Sequence, residues 1–512
     1  KQGVVTGTLV GLCVERSMDM MIALLGILKA GGAYLPLDPS YPSNRLQYML
    51  DDSQLSYLLV PSQQALVEGL QLAQEVKVIG LDNANTQQQL AACSSQNRQR
   101  DKQQTSRDLA YVIYTSGTTG LPKAAIMLHR KALAASTVLG RLGFRVKPSD
   151  RLYLCLPIYH ITGLGPGLLA FILSGGSVFL RRQFSASKFW SEVQQFKTNS
   201  FIYVGELCHY LNQQPEHSQE KNNPLEKMLG NGLRPDVWDA FKTRFEVARI
   251  CEIYGSSEGN VSFANFFNKD KTIGATFAKV ALVAYDQEND EILRNEEGHC
   301  TEVPAGTPGL LLGEITSDYA FDGYTNKDAT GKKVVHDVLK AGDQWFDTGD
   351  LIREIDVGFA FGIRHFQFVD RTGDTFRWRS ENVSTNEVAE VLNQHPQVHL
   401  SNVYGVEVPG CEGKAGMVAL AVDSPDTFDM TGFSRLVDAE LPGYARPLFI
   451  RLQASLETTG TFKLVKTELR AQSFHLDQVG QDAIYVRPPK AESYQRLDDN
   501  FYQSLCSGTA GY

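Results

Sequence analysis

Residues 114–123 read YTSGTTGLPK, and the reading of the whole chain starts from them. The apolar run just before, residues 109–114, is expected to be a buried strand. Gly117 and Gly120 let backbone N–H groups come close to an anion. Thr115, Ser116, Thr118 and Thr119 add hydroxyl donors, and Lys123 adds a point charge. This is the chemistry of a phosphate cradle. It is not the G-x-x-x-x-G-K-[ST] loop, because Ala124 follows Lys123 and the glycine spacing fails. An ordinary turn rich in Ser, Thr and Gly is the plainer alternative. Hydroxyls repeated through the loop, closed by Pro122-Lys123, favour the cradle.

Composition narrows the rest. A chain of 512 residues is too long for one core and implies two or more domains. With 43% hydrophobic and 21% charged residues it has the make-up of an ordinary globular protein. A formal net charge of −9 argues against a nucleic-acid partner held by bulk charge. The eight cysteines are scattered without a C-x-x-C, so reduced thiols and an intracellular location are expected, in the cytoplasm or on the cytoplasmic face of a membrane. The chain opens at Lys1 with no secretory leader, and residues 9–14 already read as a strand, so the first strand and helix of the domain are expected to lie upstream. Residues 161–180 form a run of 20 without a charge, long enough to span a bilayer. Nine of them are Gly, Pro, Ser or Thr, which predicts a buried helix, a turn and a strand instead; peripheral membrane association stays open.

In order, residues 9–60 read as strand, helix (18–30, stopped by Gly31-Gly32), short strand (34–37), helix (46–52) and strand (57–60). Strands alternating with helices imply a parallel sheet. Residues 83–107, rich in Gln, Asn and Ser, read as a surface linker. Residues 248–253 read as a strand. Near the C-terminus, 386–394 reads as a helix and 403–406 and 417–422 as strands.

TSGTTGLPK resembles the AMP-binding signature of the adenylate-forming superfamily, whose members make an acyl-AMP from a carboxylate and ATP and mostly pass the acyl group to a thiol. Residues 28–42, LKAGGAYLPLDPSYP, resemble the second core motif of peptide-synthetase adenylation domains. From about residue 110 to 480 the likeness is to the fatty acid transport protein family of very-long-chain acyl-CoA synthetases, through LPIYH (156–160), FLRRQFSASKFW (179–190), YVGELCHYL (203–211) and GNGLRPDVW (230–238). The resemblance implies an α/β fold: a large N-terminal AMP- and acyl-binding domain of stacked sheets and helices over 1–370, and a smaller, mobile α+β domain over 371–512.

It also implies roles. In YGSSEGN (254–260), Tyr254 would lie against adenine, the Ser257 hydroxyl would bond the α-phosphate, and Glu258 would be the hard oxygen ligand that Mg²⁺ prefers. Ser257 stands where the family usually has Thr. In WFDTGDL (345–351), Asp350 would accept from both ribose hydroxyls. In FVDRTGD (368–374), Arg371 would contact ribose or phosphate, and Gly373 marks the hinge about which the small domain turns between adenylation and thioester formation. Ser380 occupies a position that is usually Gly and lies on the pantetheine path. In TGTFK (459–463), Lys463 would bridge carboxylate and α-phosphate, offsetting their repulsion. Lys123, Glu258 and Lys463 are the candidate catalytic groups, and Thr115, Ser116, Gly117, Thr118, Thr119, Gly120, Tyr254, Ser257, Asp350 and Arg371 the nucleotide-binding ones.

Amino-acid-activating relatives carry an Asp in their fourth motif, F-D-x-S, to pair the substrate ammonium. The matching stretch, PIYHI (157–161), has no acid, so an α-amino acid would bury an unpaired charge. A fatty acyl chain gains about 0.8 kcal/mol per buried CH₂ and needs no such partner. Tyr159, His160 and Gly230 are the candidate acyl-site residues. ATP, Mg²⁺ and CoA are the expected cofactors. No L-G-G-x-S carrier motif follows Lys463, so no fused carrier protein is expected. Two other readings remain: an enzyme that stops at acyl-AMP or loads a carrier in trans, and a non-catalytic fatty acid binding or uptake protein.

Overall fold

The computed structural model describes residues 3–39, 41, 43–61, 70–72, 75–97, 103–115, 123–158, 161–255, 259–286, 291–321, 323, 327–378, 381–411, 413–459 and 464–512. The first helix, Met18–Ala30, follows from its ends. Ser17 caps it by accepting from the Met20 N–H at 3.2 Å, Asp19 and Lys29 suit the two ends of its dipole, and Gly31 at φ 91° closes it. Met20, Leu24 and Ile27 are its buried stripe.

This helix links two strands of a sheet ordered Lys77–Gly80, Tyr57–Val60, Leu9–Leu12, Ala33–Pro36, Leu109–Thr115 and Lys123–Leu128. The pairs are parallel except the last. A second six-stranded sheet runs Ser262–Ala264, Arg249–Gly255, Lys227–Asn231, Ser200–Val204, Arg151–Leu154 and Ser177–Leu180, parallel but for its first pair. One apolar cluster draws on both, with Leu12, Tyr34 and Tyr111 from the first and Tyr153, Phe201 and Met228 from the second. A third sheet is antiparallel: Val280–Val283, Gly309–Glu314, Gln344–Ile355 and Val334–His336, with His365–Arg371 paired to the long strand.

A separate cluster, from Phe376 to Leu505, forms around the sheet Leu400–Glu407, Lys414–Ala421, Phe449–Gln453, Ala483–Val486 and Gln495–Arg496. The fold is thus a large N-terminal α/β body with a smaller C-terminal α+β one. The tail beyond residue 485 contributes Tyr494, Leu497 and Leu505 to the smaller core.

Residues 161–180 fold as expected: wide-turn helix Gly163–Leu169, helix Ala170–Ser174, a glycine turn, and strand Ser177–Leu180. No helix among the described residues is long and apolar enough to cross a membrane. One reading needs correction. Residues 83–107 are not plain linker: helix Ala84–Ala91 starts on an Asn83 cap at 2.9 Å. None of its residues is buried, so its polar composition hid it. All eight cysteines are unpaired.

Candidate active site

The long strand Gln344–Ile355 buries Trp345 and Phe346 and then bends at the Asp347–Asp350 stretch. Asp347 accepts from the Gly349 N–H at 2.8 Å, and Thr348 Oγ1 donates to Leu311 O at 2.8 Å while accepting from the Asp350 N–H at 3.1 Å. Gly349 sits at φ 73°, where a side chain would be strained. The bend aims the Asp350 carboxylate at two partners. Tyr254, at the end of strand Arg249–Gly255, donates its hydroxyl to Oδ2 at 2.6 Å, and Arg371 Nε stands 3.7 Å from Oδ1. The Tyr254 ring packs against Phe263 and Phe368, and burial first, then the Asp350 charge, pushes its hydroxyl pKa well up. The result is a carboxylate held in place between a phenol and a guanidinium, geometry suited to a vicinal diol.

One residue before Arg371, Asp370 is buried and faces the other way. Its Oδ2 accepts from the Thr385 N–H (2.6 Å), Thr385 Oγ1 (2.9 Å) and Ser384 Oγ (3.2 Å), so it places a negative charge at the N-terminus of helix Thr385–Leu392 of the smaller body, which Ser384 caps. Burial raises its pKa, against the pull of Lys466. Lys466 Nζ bonds Thr385 Oγ1 at 3.0 Å and lies 3.4 Å from Asp374, which also receives Arg470 at 2.8 Å. Burial works to raise the Asp374 pKa, but the Lys466 and Arg470 cations outweigh it and hold it low; burial lowers that of Lys466. A bridge between Thr458 and Leu464 closes the segment just before Lys466. A continuous set of contacts therefore runs Tyr254–Asp350–Arg371 and on through the next turn to Asp374–Lys466.

Two residues before Tyr254 on the same strand, Glu252 is buried. It accepts from the Leu233 N–H at 3.0 Å and from the Tyr203 hydroxyl, and burial pushes its pKa up to about 8. Gly230 pairs with Glu252 across the sheet, and a Cβ there would lie 2.1 Å from the Tyr203 carbonyl. Its lack of a side chain is thus required by packing under Tyr203.

Of the candidate residues, Tyr254, Asp350 and Arg371 come together, and Gly230 lies one strand away. Ser116, Gly117, Thr118, Thr119, Gly120, Tyr159, His160, Ser257, Glu258, Ser380 and Lys463 fall outside the described residues, as do the side chains of Thr115 and Lys123. The backbones of Thr115 and Lys123 face each other in an antiparallel pair, so the cradle stretch joins two strands of a hairpin. Sequence reasoning missed Asp370, Asp374 and Glu252. The signal for the first two was present, since the D-R-T-G-D stretch carries an acid at each end.

A sequence model of the family described as AMP-binding enzyme matches residues 1–313. The chain is 38% identical over 495 residues to the medium/long-chain-fatty-acid–CoA ligase FadD6 of Mycobacterium tuberculosis, covering 96% of this chain and 82% of the relative. It is 40% identical over 412 residues to the long-chain fatty acid transport protein 5 of Homo sapiens, covering 79% of this chain and 58% of that protein, so it spans little more than half of the latter. Among solved structures, ATP-bound MatB from Rhodopseudomonas palustris superposes with a TM-score of 0.75 at 23% identity, over 93% of this chain and 90% of that one, a likeness of fold.

Proposed function

The chain belongs to the AMP-binding enzyme family, and from that premise we propose that it activates a long- or very-long-chain fatty acid with ATP, through acyl-AMP, to acyl-CoA. The observation that carries this reading is identity to a fatty-acid–CoA ligase over 96% of the chain, joined to the Asp350 carboxylate held between Tyr254 and Arg371. In this reading Asp350 takes the ribose hydroxyls, Tyr254 borders the adenine and Arg371 adds charge beside the ribose. Residues 115–123 grip the phosphates through their N–H groups, hydroxyls and Lys123. Glu258 is the carboxylate for Mg²⁺; one hard oxygen ligand beside phosphate oxygens is a donor set that ion accepts. Lys463 neutralises the approach of the fatty carboxylate to the α-phosphate. Tyr159, His160 and Gly230 belong to the acyl side of the site.

The domain boundary is placed near residue 370, with Gly373 as hinge. A built Cβ on Gly373 meets nothing within 4 Å, and its φ is not in the left-handed range. A glycine not demanded by this conformation is free to serve another one. The protein is placed inside the cell, in the cytoplasm or against the cytoplasmic face of a membrane. The test is mass-spectrometric detection of palmitoyl-CoA from palmitate, ATP, Mg²⁺ and CoA. Acyl-CoA formation dependent on all four supports the reading. Pyrophosphate release without acyl-CoA favours an enzyme that stops at acyl-AMP, to which Ser380 on the thiol path would contribute.

A further inference from the structure

Two of the stretches that carry the family likeness, 203–211 and 230–238, hold Glu206, His209, Arg234 and Asp236, which the nucleotide site does not use. The structure puts all four where the two bodies meet. Strand Ser200–Val204 leads into helix Gly205–Gln213, whose Leu207, Cys208 and Leu211 are buried. Helix Pro235–Phe245 packs beside it: Arg244 donates to the Asn212 carbonyl at 2.7 Å, and Asn212 to that of Val237 at 3.4 Å.

From this base, His209 Nε2 and Gln213 Nε2 both donate to the carbonyl of His399 in the smaller body, Gln213 at 2.6 Å. His399 stands just ahead of the edge strand Leu400–Glu407 and is itself fixed, because its N–H donates to the Ala421 carbonyl at 2.9 Å. A carbonyl only accepts, so His209 carries its proton on Nε2. A guanidinium only donates, so Nδ1 is bare toward Arg234 Nη2, 3.4 Å away. One neutral tautomer meets both demands, and burial, followed by the Arg234 charge, lowers the His209 pKa and keeps the ring neutral.

Acids crowd the same interface. Arg234 is shared between Glu206 at 3.6 Å and Asp236 at 3.4 Å. Helix Thr385–Leu392 of the smaller body brings Glu387 to 3.5 Å from Arg353 on the long strand. On the same helix, burial first and then the Asp236 charge push Glu390 up to about 7; Glu387 adds to the rise, and Arg234 and Arg353 oppose it. Two directional hydrogen bonds to His399 are therefore set against four carboxylates that share two guanidinium groups.

We propose that His209 and Gln213 are positioning residues, which hold the smaller body against the larger in one orientation through the His399 carbonyl, and that the Glu390 carboxylate opposes the hold and keeps it releasable. The consequence for catalysis rests on the ligase reading, in which the smaller body turns between two half-reactions. The docking itself does not.

Spin labels on two exposed native thiols, Cys93 in the larger body and Cys506 in the smaller, report the distance between the bodies, with Cys411→Ser as background. Double electron–electron resonance is recorded on the full chain at pH 8 without ATP, acid or CoA, so that its outcome is separable from that of the ligase reading. The background chain should give one narrow distance. His209→Ala/Gln213→Ala should broaden it, the docking constant falling on the order of tenfold. Gln213→Ala alone, at an exposed position, should go part of the way. Adding Glu390→Gln to the double variant keeps the side-chain shape, removes the charge and should narrow the distribution again. In half-reaction assays the double variant should move acyl-AMP formation and its transfer to CoA in opposite directions, whereas a general structural defect lowers both. The inference is overturned by a broad distribution in the background chain, by an unbroadened one in His209→Ala/Gln213→Ala, by failure of Glu390→Gln to restore it, or by equal loss of both half-reactions. If neither half-reaction occurs in the unaltered chain, the ligase reading fails and the distances alone decide the docking.

Discussion

The hydroxyl of Tyr254 donates a 2.6 Å hydrogen bond to Asp350 across 96 positions of chain. It joins the end of a strand in the second sheet to the bend in the long antiparallel strand, and so fixes the carboxylate proposed to hold the ribose. Tyr254→Phe keeps the ring against Phe263 and Phe368 and removes only the donor. The KM for ATP should rise about tenfold, the size of one hydrogen bond to a charged group, with kcat little changed. Asp350→Ala should cost on the order of 100-fold in acyl-AMP formation, since both ribose contacts go. Steady-state kinetics that leave the ATP KM of Tyr254→Phe unmoved would remove Tyr254 from this role.

Asp370 ties the last strand of the large body to the first helix of the small one through three bonds to Ser384 and Thr385. Asp370→Ala should destabilise by about 2–3 kcal/mol, a carboxylate lost from the helix N-terminus plus donors left unpaired. Hydrogen–deuterium exchange should quicken first over residues 384–388. Unchanged protection there would mean that other contacts anchor the helix.

Glu252 gives a pH signature. Its folded pKa, about 8, lies above the ordinary carboxyl value because burial disfavours the charge. The folded state therefore keeps a proton that the unfolded state has lost. The stability this supplies is complete below the unfolded pKa and disappears as pH rises through the folded one, over a window from about 4.5 to 8. Urea titrations between pH 5 and 8 should show wild-type stability falling with a slope on the order of 1 kcal/mol per pH unit attributable to this group. Glu252→Gln should flatten that slope. An identical pH dependence in both proteins would place the titration elsewhere.

Lys463 and Lys466 should separate cleanly. Lys463→Ala should abolish acyl-AMP formation yet still convert supplied acyl-AMP to acyl-CoA, because the cation is asked to act only while the acid approaches the phosphate. Lys466→Met loses the contacts to Thr385 and Asp374 and should lower thermal stability. Equal loss of both half-reactions in Lys463→Ala would contradict its role.

Much of this arrangement was legible before the fold was seen, and the reasons differ by element. Helix 18–30 declared itself through its stop at Gly31-Gly32, a local signal that the structure bears out with Gly31 at its C-terminal end. Asp350 and Arg371 stand out in short motifs, and the two are register partners on adjacent strands. Glu252 was not legible: its burial comes from Tyr203 and Leu233, residues 49 and 19 positions away, and nothing local marks it. Asp370 was passed over because its partner helix lies beyond the next hairpin. Helix Ala84–Ala91 was missed because it buries nothing and so has no apolar period to read.

The most direct test of the account is ATP–pyrophosphate exchange with CoA omitted, across palmitate, longer fatty acids and a set of amino acids. The account predicts exchange with the fatty acids, none with the amino acids, and loss of the signal in Asp350→Ala. Exchange supported by an amino acid and not by any fatty acid, or exchange undiminished in Asp350→Ala, would contradict it.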